Sequence, residues 1–159
     1  MQNANKINLV CVGSVGENFF QFLENEKGSI KNFKTAFVNC SEKIDNLKDI
    51  TSSDFDDLIF CVLGAASTKN VLKVKSLLDL NPVLWHRTHF ILVHPFYFEG
   101  EEKALKAKEF SQFVTHQRAK KTDLRNQDLF TFINDKTKFE DGFRIMNKWI
   151  FSIIENERS

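Results

Sequence analysis

The sequence predicts an α/β fold, in which one mostly parallel sheet of about five or six strands is covered by helices on both faces. Three observations lead there. Short apolar runs recur along the chain, they alternate with segments of helical periodicity, and turn-forming residues sit just after the runs. The runs are continuous rather than alternating, which is the pattern of strands covered on both sides.

The first run, residues 7–12, is followed by Gly13 and Gly16 and then by a helical stripe of Phe19, Phe20 and Leu23. The second, residues 35–39, ends at Asn39. The polar stretch from Cys40 to Asp57 lacks an apolar stripe and reads as a loop with one short helix. The third run, residues 58–63, ends at Gly64 and leads into a helix striped by Val71, Val74 and Leu78. The fourth, residues 89–93, meets Pro95 and breaks at Glu99-Gly100, before a helix carrying Ala104, Ala107, Phe110 and Val114. Arg118, Lys120, Lys121 and Arg125 read as a solvated helix end and loop. Without interleaved aromatics this basic run does not indicate nucleic-acid binding. A fifth strand is expected at residues 129–133, and a last helix presents Phe143, Met146, Ile150 and Ile153 at helical spacing.

A chain of 159 residues is enough for one cored domain, here residues 1–159, and too short for two ordinary ones. Its 42% hydrophobic and 27% charged content is that of a globular protein. A formal charge of +1 offers no field that would favour nucleic acid or an anionic membrane. Three cysteines far apart in apolar surroundings point to buried, reduced thiols, hence to a cytoplasmic protein. No signal peptide is evident, and no apolar run approaches the ~20 residues that cross a bilayer. His86, His89 and His94 lack the spacing and companions of a metal site.

The punctuation falls at the carboxyl ends of the strands, the edge at which open parallel sheets bind ligands. Gly13-Ser-Val-Gly16 can bring a backbone turn and a helix N-terminus against a phosphate, although Glu17 adds an unfavourable charge there. An ordinary tight turn accounts for the same two glycines. Phe143 and Asn147, four residues apart, share a helix face and can stack on a base and hydrogen-bond its edge. The alternative is a core Phe143 and a solvated Asn147.

One segment carries a family resemblance. Pro95-Phe-Tyr-Phe-Glu-Gly100, placed after a strand, resembles the FtsZ/tubulin family of GTP-binding cytoskeletal proteins. The resemblance implies a three-layer, Rossmann-like nucleotide-binding domain. In it, Gly13, Gly16 and Asn18 match the glycine-rich first loop, and Val38-Asn39 keeps half of the motif ending the second strand. Glu99 matches the residue that contacts the ribose, and Lys103 stands where the family has a supporting Arg. Asn134-Asp135 matches the end of the family's fifth strand, with Asn134 toward guanine, while Phe143 and Asn147 match its base-reading helix.

The third loop departs from the family. Its glycine-rich phosphate cradle is replaced by Gly64-Ala-Ala-Ser-Thr-Lys-Asn70, in which Gly64 and Thr68 alone match. Lys69 offers a charge in place of lost amides, and an N-cap at Ser67 or Thr68 explains the segment equally well. The resemblance covers the family's nucleotide-binding half; the second domain, with its hydrolysis-activating loop, has no counterpart here. The expected protein is FtsZ-like and non-catalytic. It binds GDP or GTP weakly if at all, and acts by association in cell division, with a copy of itself or a cell-division protein. The alternative is an interaction module with a vestigial site and a contact on its crowded C-terminal helix, residues 149–154.

Overall fold

A computed structural model describes residues 7–27, 30–40, 58–132 and 139–158. Five strands form one wholly parallel sheet: β1 (Ile7–Val12), β2 (Phe33–Val38), β3 (Ile59–Gly64), β4 (Thr88–His94) and β5 (Lys120–Arg125), in the order β2-β1-β3-β4-β5. β1 is buried along its whole length. β3 and β4 are buried except at their carboxyl ends, Gly64 and His94. This explains their uninterrupted apolar sequences.

The helices are α1 (Gly13–Phe22), α2 (Thr68–Asp79), α3 (Val83–Arg87), α4 (Glu101–His116) and α5 (Phe139–Arg158). On one face of the sheet, α1 and α5 bury Phe19, Phe22, Met146, Ile150 and Ile154 against Leu9, Cys11, Val62 and Ile91. On the other, α2, α3 and α4 bury Val71, Val74, Leu84, Trp85, Ala107, Phe110 and Val114 against Val10, Cys61, Phe90 and Leu92. Three layers result, as the sequence predicts. The apolar face of α5 closes with Ile154 rather than Ile153. Trp149, Phe151 and Ile153 pack partly buried at the margin of the same core.

The fifth strand is not where the apolar run predicts it. Residues 126–131 of that region form a 3-10 turn, and the strand is the charged segment Lys120–Arg125 that reads as a solvated loop. β5 is an edge strand, held by main-chain pairing to β4 in the register Leu92↔Asp123 and His94↔Arg125. An edge needs no apolar side chains on its outer side, and Leu124 is the one aliphatic residue in it. Its inner face is polar but satisfied: the Asp123 carboxylate accepts from His94 at 2.7 Å, Lys121 at 2.7 Å and Ser111 of α4 at 2.8 Å. The expected strand end at Asn134, and the expected loop from Ser41 to Asp57, lie outside the described residues.

Chain direction reverses across the sheet between β1 and β3: β1 leads to β2 on one side, and the chain then returns to β3 on the other. Such a switch point leaves a crevice at the carboxyl ends of the strands. There the loops after β1, β3, β4 and β5 converge.

Candidate functional site

Two adjoining hollows occupy this crevice. One, of about 330 Å³, is lined by Ser14, Val15, Gly64, Ala66, Ser67, Asn70, Val93, Pro95, Glu99, Lys103 and Asn126. The other, of about 140 Å³, is lined by Ser14, Val15, Asn18, Val93, Asn126, Phe143, Met146 and Asn147. They share Ser14, Val15, Val93 and Asn126, so they form one continuous cleft. Its outer end opens along Gln21, Asn25 and Arg144.

The first hollow is built from the loops that would face phosphates. α1 begins at Gly13, whose φ of 61° lies in the left-handed region, and a Cβ there would overlap the Asn70 carboxamide. At Gly16 an added Cβ would come within 2.6 Å of the Cys11 backbone, so this glycine lets α1 lie directly on β1. Both matched glycines therefore serve packing, and it is Ser14 and Val15 between them that line the cleft. Gly64 lies under Val15, whose Cγ2 would be 3.1 Å from an added Cβ.

The loop after β3 has three of its amides engaged. Ala65 donates its N–H to the Val93 carbonyl at 3.0 Å, and Ser67 N–H turns back to Gly64 at 3.5 Å. Ser67 caps α2 by accepting from the Asn70 amide at 3.3 Å. Asn70 is the knot of this corner: its Oδ1 also accepts from Asn39, which holds a left-handed φ of 54° at the end of β2. Neither Asn39 nor Thr68 lines the cleft. Thr68 lies instead in the groove between α2 and α4, beside Lys75 and Phe110, and Lys69 is exposed.

Glu99 and Lys103 do border the first hollow. The Glu99 carboxylate accepts the Phe96 N–H at 2.8 Å and lies 3.7 Å from the Lys103 ammonium one helical turn on. The two charges oppose each other, so this side presents no net positive field to an anion. Beneath the loops, burial pushes the Cys11 thiol well above its usual value, with Cys40 and Cys61 adding to the effect, and lifts Cys61 to about 12. These thiols stay protonated and pack as small apolar groups. Cys40 reaches the carbonyls of Cys11 and Gly13 at 3.3 and 3.4 Å.

The second hollow gathers Phe143 and Asn147, expected at a base, with Asn18, expected in the first loop. Asn147 is buried on α5 at 6% exposure and donates to Asn18 Oδ1 at 3.4 Å, while Phe143, one turn earlier, stands half open beside them. Arg144 pairs with Glu26 at 2.8 Å and ties the start of α5 to the end of the α1 region. The addition is Asn126, the first residue after β5. Asn126 lines both hollows, and its Oδ1 is buried without a hydrogen-bond partner. The sequence signal was the strand end itself, which the apolar run at residues 129–133 disguised. Asn134, expected in that role, lies outside the described residues.

The architecture defines the class: a parallel α/β sheet with a cleft at its switch point, similar in fold to FtsZ. Among solved structures the chain is similar to an empty FtsZ dimer from M. jannaschii, at TM-score 0.65 and 14% identity, over 93% of this chain. The chain spans 52% of that protein's length. No family model matches the sequence, and no curated protein matches it. At this identity the likeness concerns the fold. Among the described residues no helix is long and apolar enough to cross a membrane.

Proposed function

We propose that this protein is an FtsZ-like, non-hydrolysing domain that binds a guanine nucleotide weakly through its base and acts by protein association. The observation that carries this reading is the asymmetry of the cleft. On the base side, Asn18, Asn126, Phe143 and Asn147 converge, and Asn126 offers a buried acceptor with no donor. A buried polar atom left unpaired costs about 1–3 kcal/mol, which a ligand N–H or O–H would recover. On the phosphate side the amides of Ala65, Ser67 and Asn70 bond within the protein, and Lys103, which lines the hollow, faces a carboxylate. Through the FtsZ resemblance, the setting of this association is cell division.

The test is isothermal titration of the nucleotide-stripped protein with GDP, using ADP as control. Guanine-selective binding that weakens on Phe143→Ala/Asn147→Ala supports the reading. Absence of heat and of thermal shift with both nucleotides refutes the nucleotide part. A second reading, an interaction module with an empty cleft, is favoured by the Glu99 carboxylate, which already has both a backbone N–H and Lys103 as partners and needs no ligand.

A further inference from the structure

The geometry points to a second ligand site, the groove between α2 and α4, which takes an amphipathic organic carboxylate: an apolar body ending in one carboxylate group. The groove follows from the sheet. β3 and β4 are parallel neighbours, and the helices that follow them pack on the same face. On α2, Thr68, Leu72 and Lys75 are spaced by four and three residues, and on α4 Lys106, Glu109, Phe110 and Phe113 recur at three and four. Such spacing puts each set on one side of its helix. All seven residues line one hollow of about 380 Å³, the size of a small-molecule site.

The lining is apolar with a cation set into it. Phe110 and Phe113 stack at 17° with centroids 6.4 Å apart, and Val71 and the exposed Leu72 line the hollow with them. The Lys75 ammonium lies over both rings, 4.2 Å from the Phe113 centroid and 5.8 Å from that of Phe110. Among the described residues no carboxylate pairs with it. A ring face attracts an ammonium but is a poor acceptor for its three N–H donors, so Lys75 keeps its capacity for an anion. Lys106 brings a second cation from α4. Its pair with Glu102, at 3.4 Å and exposed on both sides, is of the weak kind that a ligand can displace. Glu109 sets the upper limit on charge. One carboxylate in the lining against two lysines leaves room for a single negative charge and disfavours a dianion such as a phosphate monoester. The apolar body is then covered by Leu72 and the two rings while its carboxylate meets Lys75.

The groove shares Ala66 alone with the cleft, so this inference does not rest on nucleotide binding there. Decanoate, decanol and decylammonium present chains of equal length with three different heads. Calorimetric titration of the full chain with each, up to about 1 mM and below micelle formation, tests the site. Saturable binding of decanoate is expected, about tenfold or more tighter than that of the other two. Lys75→Gln should weaken decanoate about tenfold through the loss of a charge-assisted contact. Leu72→Ser, whose side chain is exposed and whose thermal midpoint should be unchanged, should weaken it about fivefold through lost apolar cover. Lys148→Gln on α5 is the control that keeps the wild-type affinity. Absence of saturable decanoate binding overturns the proposal. So does equal affinity for the three heads, an unchanged affinity in Lys75→Gln, or an equal loss in Lys148→Gln. A failed GDP titration leaves each of these results standing.

Discussion

Asn126 combines two properties that ordinary structural residues keep apart: a buried acceptor and no donor. A leucine of similar volume would remove the cost of that unpaired oxygen. Asn126→Leu should therefore leave the thermal midpoint unchanged or raise it, while lowering guanine-ligand affinity about tenfold through the loss of one hydrogen bond. Denaturation and titration on the same preparation check both halves, and a parallel fall in stability and affinity would assign Asn126 to structure. Gly16 supplies the contrasting case. An added methyl would lie 2.6 Å from the Cys11 backbone, a group that cannot swing aside. Gly16→Ala should destabilise by about 1–3 kcal/mol in chemical denaturation, as overpacking does.

Elements differ in how visible they are from sequence, and the reason is burial. β1, β3 and β4 lie in the centre of the sheet with helices on both faces, so nearly every residue must be apolar and the runs mark the strands. β5 owes its place to main-chain pairing and to the Asp123 cluster, neither of which leaves an apolar trace. The same misplacement concealed Asn126 as a cleft residue. Phe143 and Asn147 were legible because spacing on one helix is local, whereas the use of Gly13 and Gly16 for packing depends on where Asn70 and Cys11 come to lie. Burial alone would raise the Asp123 carboxyl, but hydrogen bonds from Lys121, His94 and Ser111, with the Lys121 charge, outweigh it and hold the group below its ordinary value of 3.8. The unfolded chain then takes up that proton first as pH falls, so this stability is lost below pH 3.8. Asp123→Asn should lower the thermal midpoint at neutral pH and flatten its decline in that acid window.

At the opposite end of β4, His89 donates to or accepts from Thr122 at 2.7 Å, while its Nδ1 lies 3.6 Å from Glu157 near the end of α5. Burial lowers its pKa from 6.5; Glu157 opposes this and Lys120 adds to it. A depressed histidine leaves the unfolded state with more bound protons once pH falls below 6.5, so stability drops from there downward. Thermal midpoints between neutral pH and the acid range should fall less steeply in His89→Gln than in the wild type, and identical slopes would remove His89 from the cause.

For the molecule as a whole, the fold places a cleft at the switch point, and the two ends of that cleft differ in their side chains. Phosphates attached to a base would enter the hollow bordered by Glu99, Lys103 and the engaged loop after β3. In a site with a working cradle, each phosphate gains charge-assisted hydrogen bonds from amides and cations, so a nucleotide binds far more tightly than its nucleoside. Here the amides of Ala65 and Ser67 donate within the protein and the Lys103 charge is opposed, so desolvating a phosphate is not repaid. GDP and GTP should accordingly bind within about tenfold of guanosine, since little more than one weak charge contact separates them. Titration of one protein stock with guanosine, GDP and GTP measures the difference directly. A GDP preference of about a thousandfold, some 4 kcal/mol, would mean that the loop rearranges to free its amides on binding. A preference near unity would locate recognition in the hollow lined by Asn18, Asn126, Phe143 and Asn147.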